Sequence, residues 1–272
     1  MIKEEDTQQS VVSEHYRKQA ETYGLSSLST MPDEIIRSRE QDAICRYMDV
    51  ILKDNPSVRN VLEIGCGNGY LLSILGRRYP DLAFTGLDFS ADMIRLARSR
   101  NLNGCLFMEG DIRSVALESD SFDLVVSERC IINCMDVTDQ ARALREEHRL
   151  LREGAHCILI EGFADGFDNM NRARIELGLK PLDMPYHNLF FDKSWFENIV
   201  EGLFRMKRPA EFGDASLPEF NFLSSHYFVS RVVNSCLTRR EDLRNTEFVK
   251  FFSFLPPIGN YAPVQLFVLQ KA

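Results

Sequence analysis

The chain has 272 residues and a formal net charge of −8, with 40 acidic against 32 basic side chains. That length suits one large core with substantial insertions. The acidic balance argues against a nucleic-acid partner, because phosphate-tracking surfaces concentrate Lys and Arg. Seven cysteines form an odd set without a C-x-x-C pair, which reads as reduced thiols and not as a disulfide framework or a metal site. No apolar run reaches the roughly 18 residues that span a bilayer, and the acidic start Met1–Asp6 lacks the pattern of a signal peptide. The expectation is a cytoplasmic protein with no membrane partner.

In chain order, residues 1 to about 10 read as a polar, mobile tail. Apolar residues at helical spacing then predict helices over Val11–Tyr23 and Asp33–Leu52, the second carrying Ile36, Ala43, Ile44, Tyr47 and Ile51. Asn55-Pro56-Ser57 separates this N-terminal segment, residues 1–55, from the rest, residues 56–272. The run from Val61 to Ile64 predicts a first strand leading into Gly65-Cys66-Gly67-Asn68-Gly69. A helix from Gly69 to Pro80 follows, then a strand ending at Asp88, a helix capped by Ser90, and a strand through Cys105 to Met108. Phe122–Val126 is the fourth strand. Thr138 is expected to cap a helix stopped by Gly154, before a fifth strand over Ala155–Ile160. Strands separated by single helices imply a parallel sheet with right-handed crossovers.

Beyond Glu161 the rhythm breaks into two excursions, about 162–190 and 210–263. A helix near Lys193–Gly202 and a strand near Leu203–Arg208 lie between them, and a last strand spans Val264–Leu269. In the second excursion a helix over Ser224–Leu237 would set Val229, Val232, Val233 and Cys236 on one face. Ser224, Tyr227, Arg231 and Asn234 would lie opposite, as a solvated face or, preferentially, as the lining of a cleft.

The glycine turn carries most of the chemistry. Gly65, Gly67 and Gly69 allow positive φ and close approach of a ligand to backbone amides at a helix start. A dinucleotide loop needs a third glycine where this chain has Tyr70, and Glu63 would repel a diphosphate while suiting a cation. Asp88, nineteen residues after Gly69, is placed to accept ribose hydroxyls. Gly110-Asp111-Ile112 closes the third strand with a carboxylate and an aliphatic residue suited to an adenine amino group and ring face.

Taken together, these residues resemble the class I, Rossmann-like S-adenosylmethionine-dependent methyltransferases, over roughly residues 60–161. The resemblance implies an α/β fold: a seven-stranded, mostly parallel sheet with helices on both faces, an antiparallel last strand and a helical lid. It implies S-adenosyl-L-methionine as cofactor, held by Tyr23, Arg37, Glu63, Gly65, Cys66, Gly67, Gly69, Asp88, Phe89, Met93, Gly110, Asp111, Ile112, Glu128 and Arg129. Met31-Pro32-Asp33 with Arg37 and Glu40, together with Ile132-Asn133, Ser230-Arg231-Val232 and Gly259-Asn260-Tyr261, resembles bacterial members associated with small-molecule or surface-sugar biosynthesis.

Methyl transfer is an in-line displacement at an already activated carbon, so acceptor alignment and water exclusion matter more than a strong base. At the C-terminal edge of the sheet, His187, Glu161 and Arg129 are the candidates to orient or deprotonate the acceptor. Asn133, Asn171, Arg174, Asn188, Tyr227, Arg231 and Asn260, with His187, are the candidates to bind it. The expected acceptor is an oxygen or nitrogen of a soluble small molecule, with a sugar or sugar nucleotide in view and a homodimer left open. The competing readings are a nicotinamide-dependent oxidoreductase, a protein or peptide methyltransferase, and a non-catalytic partner-binding protein.

Overall fold

A computed structural model describes residues 4–272, with side chains described from Ser10 onward. Helix α1 (Glu4–Tyr23) starts before the expected Val11, so the tail reading fails from Glu4 onward, and residues 1–3 lie outside the described residues. Helix α2 (Glu34–Asp54) begins where Asp33 accepts a hydrogen bond from the Ile36 amide at 3.3 Å, and it buries Ile36, Ile44, Met48 and Ile51.

The core alternates as the sequence predicts: β1 (Asn60–Ile64), α3 (Tyr70–Arg78), β2 (Ala83–Asp88), α4 (Ala91–Ser99), β3 (Cys105–Glu109), β4 (Phe122–Glu128), α5 (Val137–Leu150) and β5 (Leu151–Gly162). After α6 (Ala164–Glu176), α7 (Lys193–Glu201) and β6 (Phe204–Lys207), the chain returns as β7 (Val264–Lys271). One seven-stranded sheet results, in the order β3-β2-β1-β4-β5-β7-β6. The first five strands pair in parallel, and β7 runs antiparallel to β5 and β6. Alternating side chains feed two cores. Val61, Leu124, Val126 and Ile158 pack on the side of α2 and α3, whereas Leu62, Ile64, Val125 and Leu159 pack on the side of α5 and α7.

Three local expectations are corrected. Asp136, not Thr138, caps α5, because its carboxylate accepts from the Thr138 and Asp139 amides at 2.7 and 3.3 Å. Gly154 does not stop that helix. It lies inside β5 at φ +73°, where the register slips so that the step from Phe122 to Leu124 faces the step from Leu151 to His156, a bulge that needs left-handed backbone. The helix expected over Ser224–Leu237 is split into α8 (Ser224–Tyr227), a π-helical segment Phe228–Val233 and α9 (Asn234–Thr238), followed by α10 (Glu247–Phe252). Wider π turns rotate the faces, and the expected polar side is neither solvated nor cleft-lining. Ser224, Arg231 and Asn234 are all buried. Ser224 bonds the Ile258 carbonyl and the Tyr261 amide, and Asn234 bonds the Leu243 carbonyl.

At the sheet centre two carboxyls are sealed from water. Glu147 on α5 contacts Cys157 Sγ at 3.7 Å, and burial lifts its pKa to about 8. Burial likewise lifts Glu161 to about 7, against the lowering pull of backbone amides. Both groups therefore bind protons more tightly folded than unfolded. The unfolding free energy of the ligand-free protein should be greatest near pH 5 and fall as pH rises through 7 and 8, measured by urea titration, and Glu147→Gln should flatten the fall. A second test concerns Gly166, whose added Cβ would overlap the Ala262 carbonyl, whereas one at Gly178 would meet open space. Gly166→Ala should lose about 3 kcal/mol in the same titration, and Gly178→Ala, strained only by its φ of +70°, about 1 kcal/mol.

Candidate functional site

The C-terminal ends of β1, β2, β3 and β4 open into a cleft of about 1200 Å³, its mouth included. Its floor is the glycine turn. Gly65, Gly67 and Gly69 all have positive φ, and a Cβ on Gly65 would lie 2.6 Å from Cys130 Cβ. Glycine is thus needed both for the turn and for its packing against the opposite wall.

Four acids stand at strand ends along this floor. Glu63 is 3% exposed, and its Oε2 has no hydrogen-bond partner. Burial, reinforced by nearby Glu128, pushes its pKa well above the ordinary carboxyl range despite the guanidinium of Arg37. Asp88 accepts from the Gly67 amide through Oδ2 and from the Ser90 amide through Oδ1, each at 2.8 Å, and burial raises it to about 6. Burial would raise Asp111 too, but hydrogen bonds from Arg113 outweigh it and keep that carboxyl below its ordinary value. Glu128 is buried yet held low by Arg129 and Arg37.

Helix α2 brings two more charges. Arg37, 5% exposed, reaches the cleft with its Nη1 3.9 Å from Glu128 Oε1, and its Nε has no partner. Glu40, fully buried, accepts from Arg129 Nη1, and Arg129 Nη2 lies 2.9 Å from Glu128 Oε1. Arg129 itself sits at φ +52°, an unfavourable conformation for a residue with a Cβ, held by the hydrogen bond its amide donates to the Ile160 carbonyl at 2.7 Å.

Of the residues expected around the cofactor, Arg37, Glu63, Gly65, Cys66, Gly67, Asp88, Phe89, Gly110, Asp111, Ile112, Glu128 and Arg129 line this one cleft. Gly69 lies behind it as the left-handed start of α3. Two lie elsewhere. Tyr23 is 40% exposed at the end of α1, and its place on the wall is taken by Tyr16, one helical repeat earlier on the same face. Met93 is fully buried, with its sulfur 3.7 Å from Ser29 Oγ.

The acceptor candidates scatter more. Asn133 lines the cleft, accepts from the Tyr16 hydroxyl at 2.7 Å and donates to Asn188 Oδ1 at 2.8 Å. His187 does not line the cleft but adjoins two residues that do, its ring 6.3 Å from that of Tyr16 and its carbonyl accepting from Asn133 Nδ2; it stacks on His15 with ring centroids 3.8 Å apart, its Nδ1 buried and without a partner. Burial, then the neighbouring His15, lowers its pKa to about 4. Glu161 does not face the cleft. Its carboxylate accepts from the Cys130 and Ile131 amides at 2.8 Å and from the Ile132 amide at 3.3 Å, so it fixes the wall that carries Arg129 and Asn133 instead of meeting an acceptor.

The remaining candidates are structural in this fold. Asn171 closes a loop through the Leu182 amide and carbonyl. Arg174, wholly buried, donates to the Lys180 and Arg231 carbonyls and to Glu241. Arg231 pairs with Asp33 at 2.8 Å, Tyr227 packs beneath the Arg231 guanidinium, and Asn260 bonds Asp165. Long-range partners, invisible in local spacing, decided Arg174, Arg231 and Asn260. The sequence reading also passed over Val12, Thr30, Tyr70, Cys134 and Met135, which line the cleft. Only Tyr70, one residue past the glycine turn, carried a local signal.

The fit to an adenosyl sulfonium rests on Glu63. A buried carboxylate oxygen with no donor, beside a floor that admits no Cβ, suits a positively charged ligand lying against backbone. A family model described as a methyltransferase domain matches residues 61–154. Over 207 residues the chain is 36% identical to a malonyl-[acyl-carrier protein] O-methyltransferase of Bacillus anthracis, covering 74% of this chain and 71% of that one. It is 31% identical over 116 residues to a demethylmenaquinone methyltransferase of Thermotoga maritima, 43% of this chain and 48% of the relative. The chain spans about half the length of several such relatives. Among solved structures, the PH0226 protein of Pyrococcus horikoshii OT3 superposes with a TM-score of 0.56 at 18% identity, over 95% of this chain and 99% of that one, which shows a shared fold. The chain belongs to the class I S-adenosylmethionine-dependent methyltransferases.

Proposed function

We propose that this chain transfers the methyl group of S-adenosylmethionine to an oxygen or nitrogen of a small-molecule acceptor. The observation that carries the reading is the unpartnered, buried Glu63 beside the glycine floor. The cofactor supplies an electrophilic methyl carbon and, as leaving group, a neutral thioether. Everything else falls to the chain. Glu63 and Glu128 balance the ligand's positive charge, and Arg37, with its free Nε, is placed for the methionine carboxylate. Asp88 receives the ribose hydroxyls, while Asp111 and Ile112 flank the adenine end.

Tyr16, Asn133 and Asn188 form a hydrogen-bonded bridge between α1 and the cleft wall, and this bridge would keep water from the reacting carbon. His187 would receive the acceptor's proton where the acceptor is an alcohol, since it is neutral throughout the physiological range. A sugar acceptor fits this bridge of hydroxyl and amide groups, though the relatives' printed names point to acyl-carrier and quinone substrates.

Calorimetry with S-adenosylhomocysteine is the direct test. Binding is expected in the wild type and its loss in Gly67→Arg, where φ is +51° and a Cβ would press on Thr30 at 2.9 Å; a wild type that fails to bind would reject the reading. Asp88 supplies a pH signature. Its pKa of about 6 means that a proton must leave before the carboxylate can accept two ribose hydroxyls, so affinity should increase as pH rises from 5 to 7. Asp88→Asn should weaken binding about tenfold at pH 7.5 and remove that slope.

A further inference from the structure

Away from the cleft, large apolar side chains stand in solvent where α10 runs into the loop that follows it. Phe251, Phe254 and Ile258 are 78%, 77% and 69% exposed, with Phe248 and Leu255 exposed beside them. At roughly 200 Å² for a fully accessible aromatic side chain and somewhat less for an aliphatic one, these five offer about 600 Å² of apolar surface, the upper end of what a monomer leaves uncovered. The rings are continuous, since Phe252 lies 4.9 Å, centroid to centroid, from both Phe248 and Phe251. The loop is also held firmly. Arg39 on α2 donates to the Ser253 carbonyl, Ser225 to the Pro256 carbonyl at 2.6 Å, Ser224 to the Ile258 carbonyl at 2.8 Å and Asn221 to the Gly259 carbonyl at 2.7 Å. Polar side chains thus fix the inner side of the loop while its apolar side chains stay outside, so little backbone ordering is left to be lost on docking.

Charge and area select the occupant. From Phe251 to Gln270 the sequence has no charged residue, and Lys250 is paired with Glu247 at 2.8 Å. A two-fold contact sets one surface against its own copy, which an uncharged face tolerates and a face of one sign does not. The net charge of −8 opposes docking on an anionic lipid surface. With Pro256 and Pro257, which are exposed as well, the face approaches the roughly 800 Å² per partner of a standard interface. We propose that α10 and the loop from Ser253 to Gly259 form the contact between two copies of this chain, related by a two-fold axis.

Sedimentation equilibrium on the full chain tests this. The wild type should show twice the mass of one chain at about 10 µM, a concentration at which a standard-size interface is largely formed. Phe251→Glu combined with Phe254→Glu should raise the dimer Kd by about a hundredfold or more, since it sets like charges against each other across the axis. Both positions are open to solvent, so the fold should persist, and an unchanged circular dichroism spectrum checks it. The urea midpoint should rise with protein concentration in the wild type and not in the double variant. A wild type of single-chain mass at about 100 µM overturns the proposal, and if that monomer floats with phosphatidylcholine vesicles while the double variant does not, the face serves a lipid surface instead. A dimer that persists in the folded double variant places the contact elsewhere and overturns the assignment to this face.

Discussion

A carboxyl held out of water at the tip of β1 is the constraint on which the rest of this structure depends. Glu63 is nearly inaccessible and has an oxygen with no donor, in a fold where buried polar atoms are ordinarily satisfied. Such a group is costly to ionise in the empty protein, where it holds its proton tightly, and a positive ligand favours its ionised form. The neighbouring acids share the same economy. Glu128 keeps its charge through two arginines, and Asp88 keeps a raised pKa because its donors are amides and not cations. The floor therefore has a polarity before anything is bound, and that polarity distinguishes a sulfonium from a diphosphate.

Much of this floor was legible because its determinants are local. Each acid closes a strand, each glycine lies within the turn, and the spacing from Gly69 to Asp88 is that of one strand–helix–strand unit. Hydrophobic runs bounded by Pro and Gly likewise placed all seven strands, and alternation within them sorts Val61 from Leu62 and Leu124 from Val125 onto opposite faces. Boundaries were less secure. Thr138 and Asp136 both look like caps, and the choice depends on which carboxylate or hydroxyl reaches free amides, a matter of backbone geometry.

The acceptor side was far less legible, for a different physical reason. Asn171, Arg174, Arg231 and Asn260 look in sequence like polar groups awaiting a ligand, and each finds its partner inside the protein. Arg231 meets Asp33 from 198 residues away, and Arg174 meets Glu241 from 67. The π-helical segment between α8 and α9 compounds this, since an altered turn moves every later side chain off the face that a regular helix predicts. Glu161 is the subtler case. Its position at the end of β5 matches that of the cofactor-facing acids, but three amides of the following wall capture it first.

Those same long-range pairs give the insertions their role. Asp33 caps α2, the helix that delivers Arg37 and Glu40 to the cleft, and it also anchors Arg231 of the π-helical segment at 2.8 Å. Burial opposes the Asp33 charge, yet His226, with its Nε2 3.7 Å away, and the hydrogen bond from Arg231 overcome it and hold the carboxyl well below its ordinary value. One ionised carboxylate thus couples the start of α2 to the second excursion. Arg129, strained at φ +52°, is gripped from two sides, by Glu40 on α2 and by Glu128 at the end of β4. Displacing α2 would break the grip and leave buried charges unmatched on both surfaces. The insertions therefore act on the cleft at one remove, by fixing where α2 stands and hence where its two charged side chains meet the acids of the sheet.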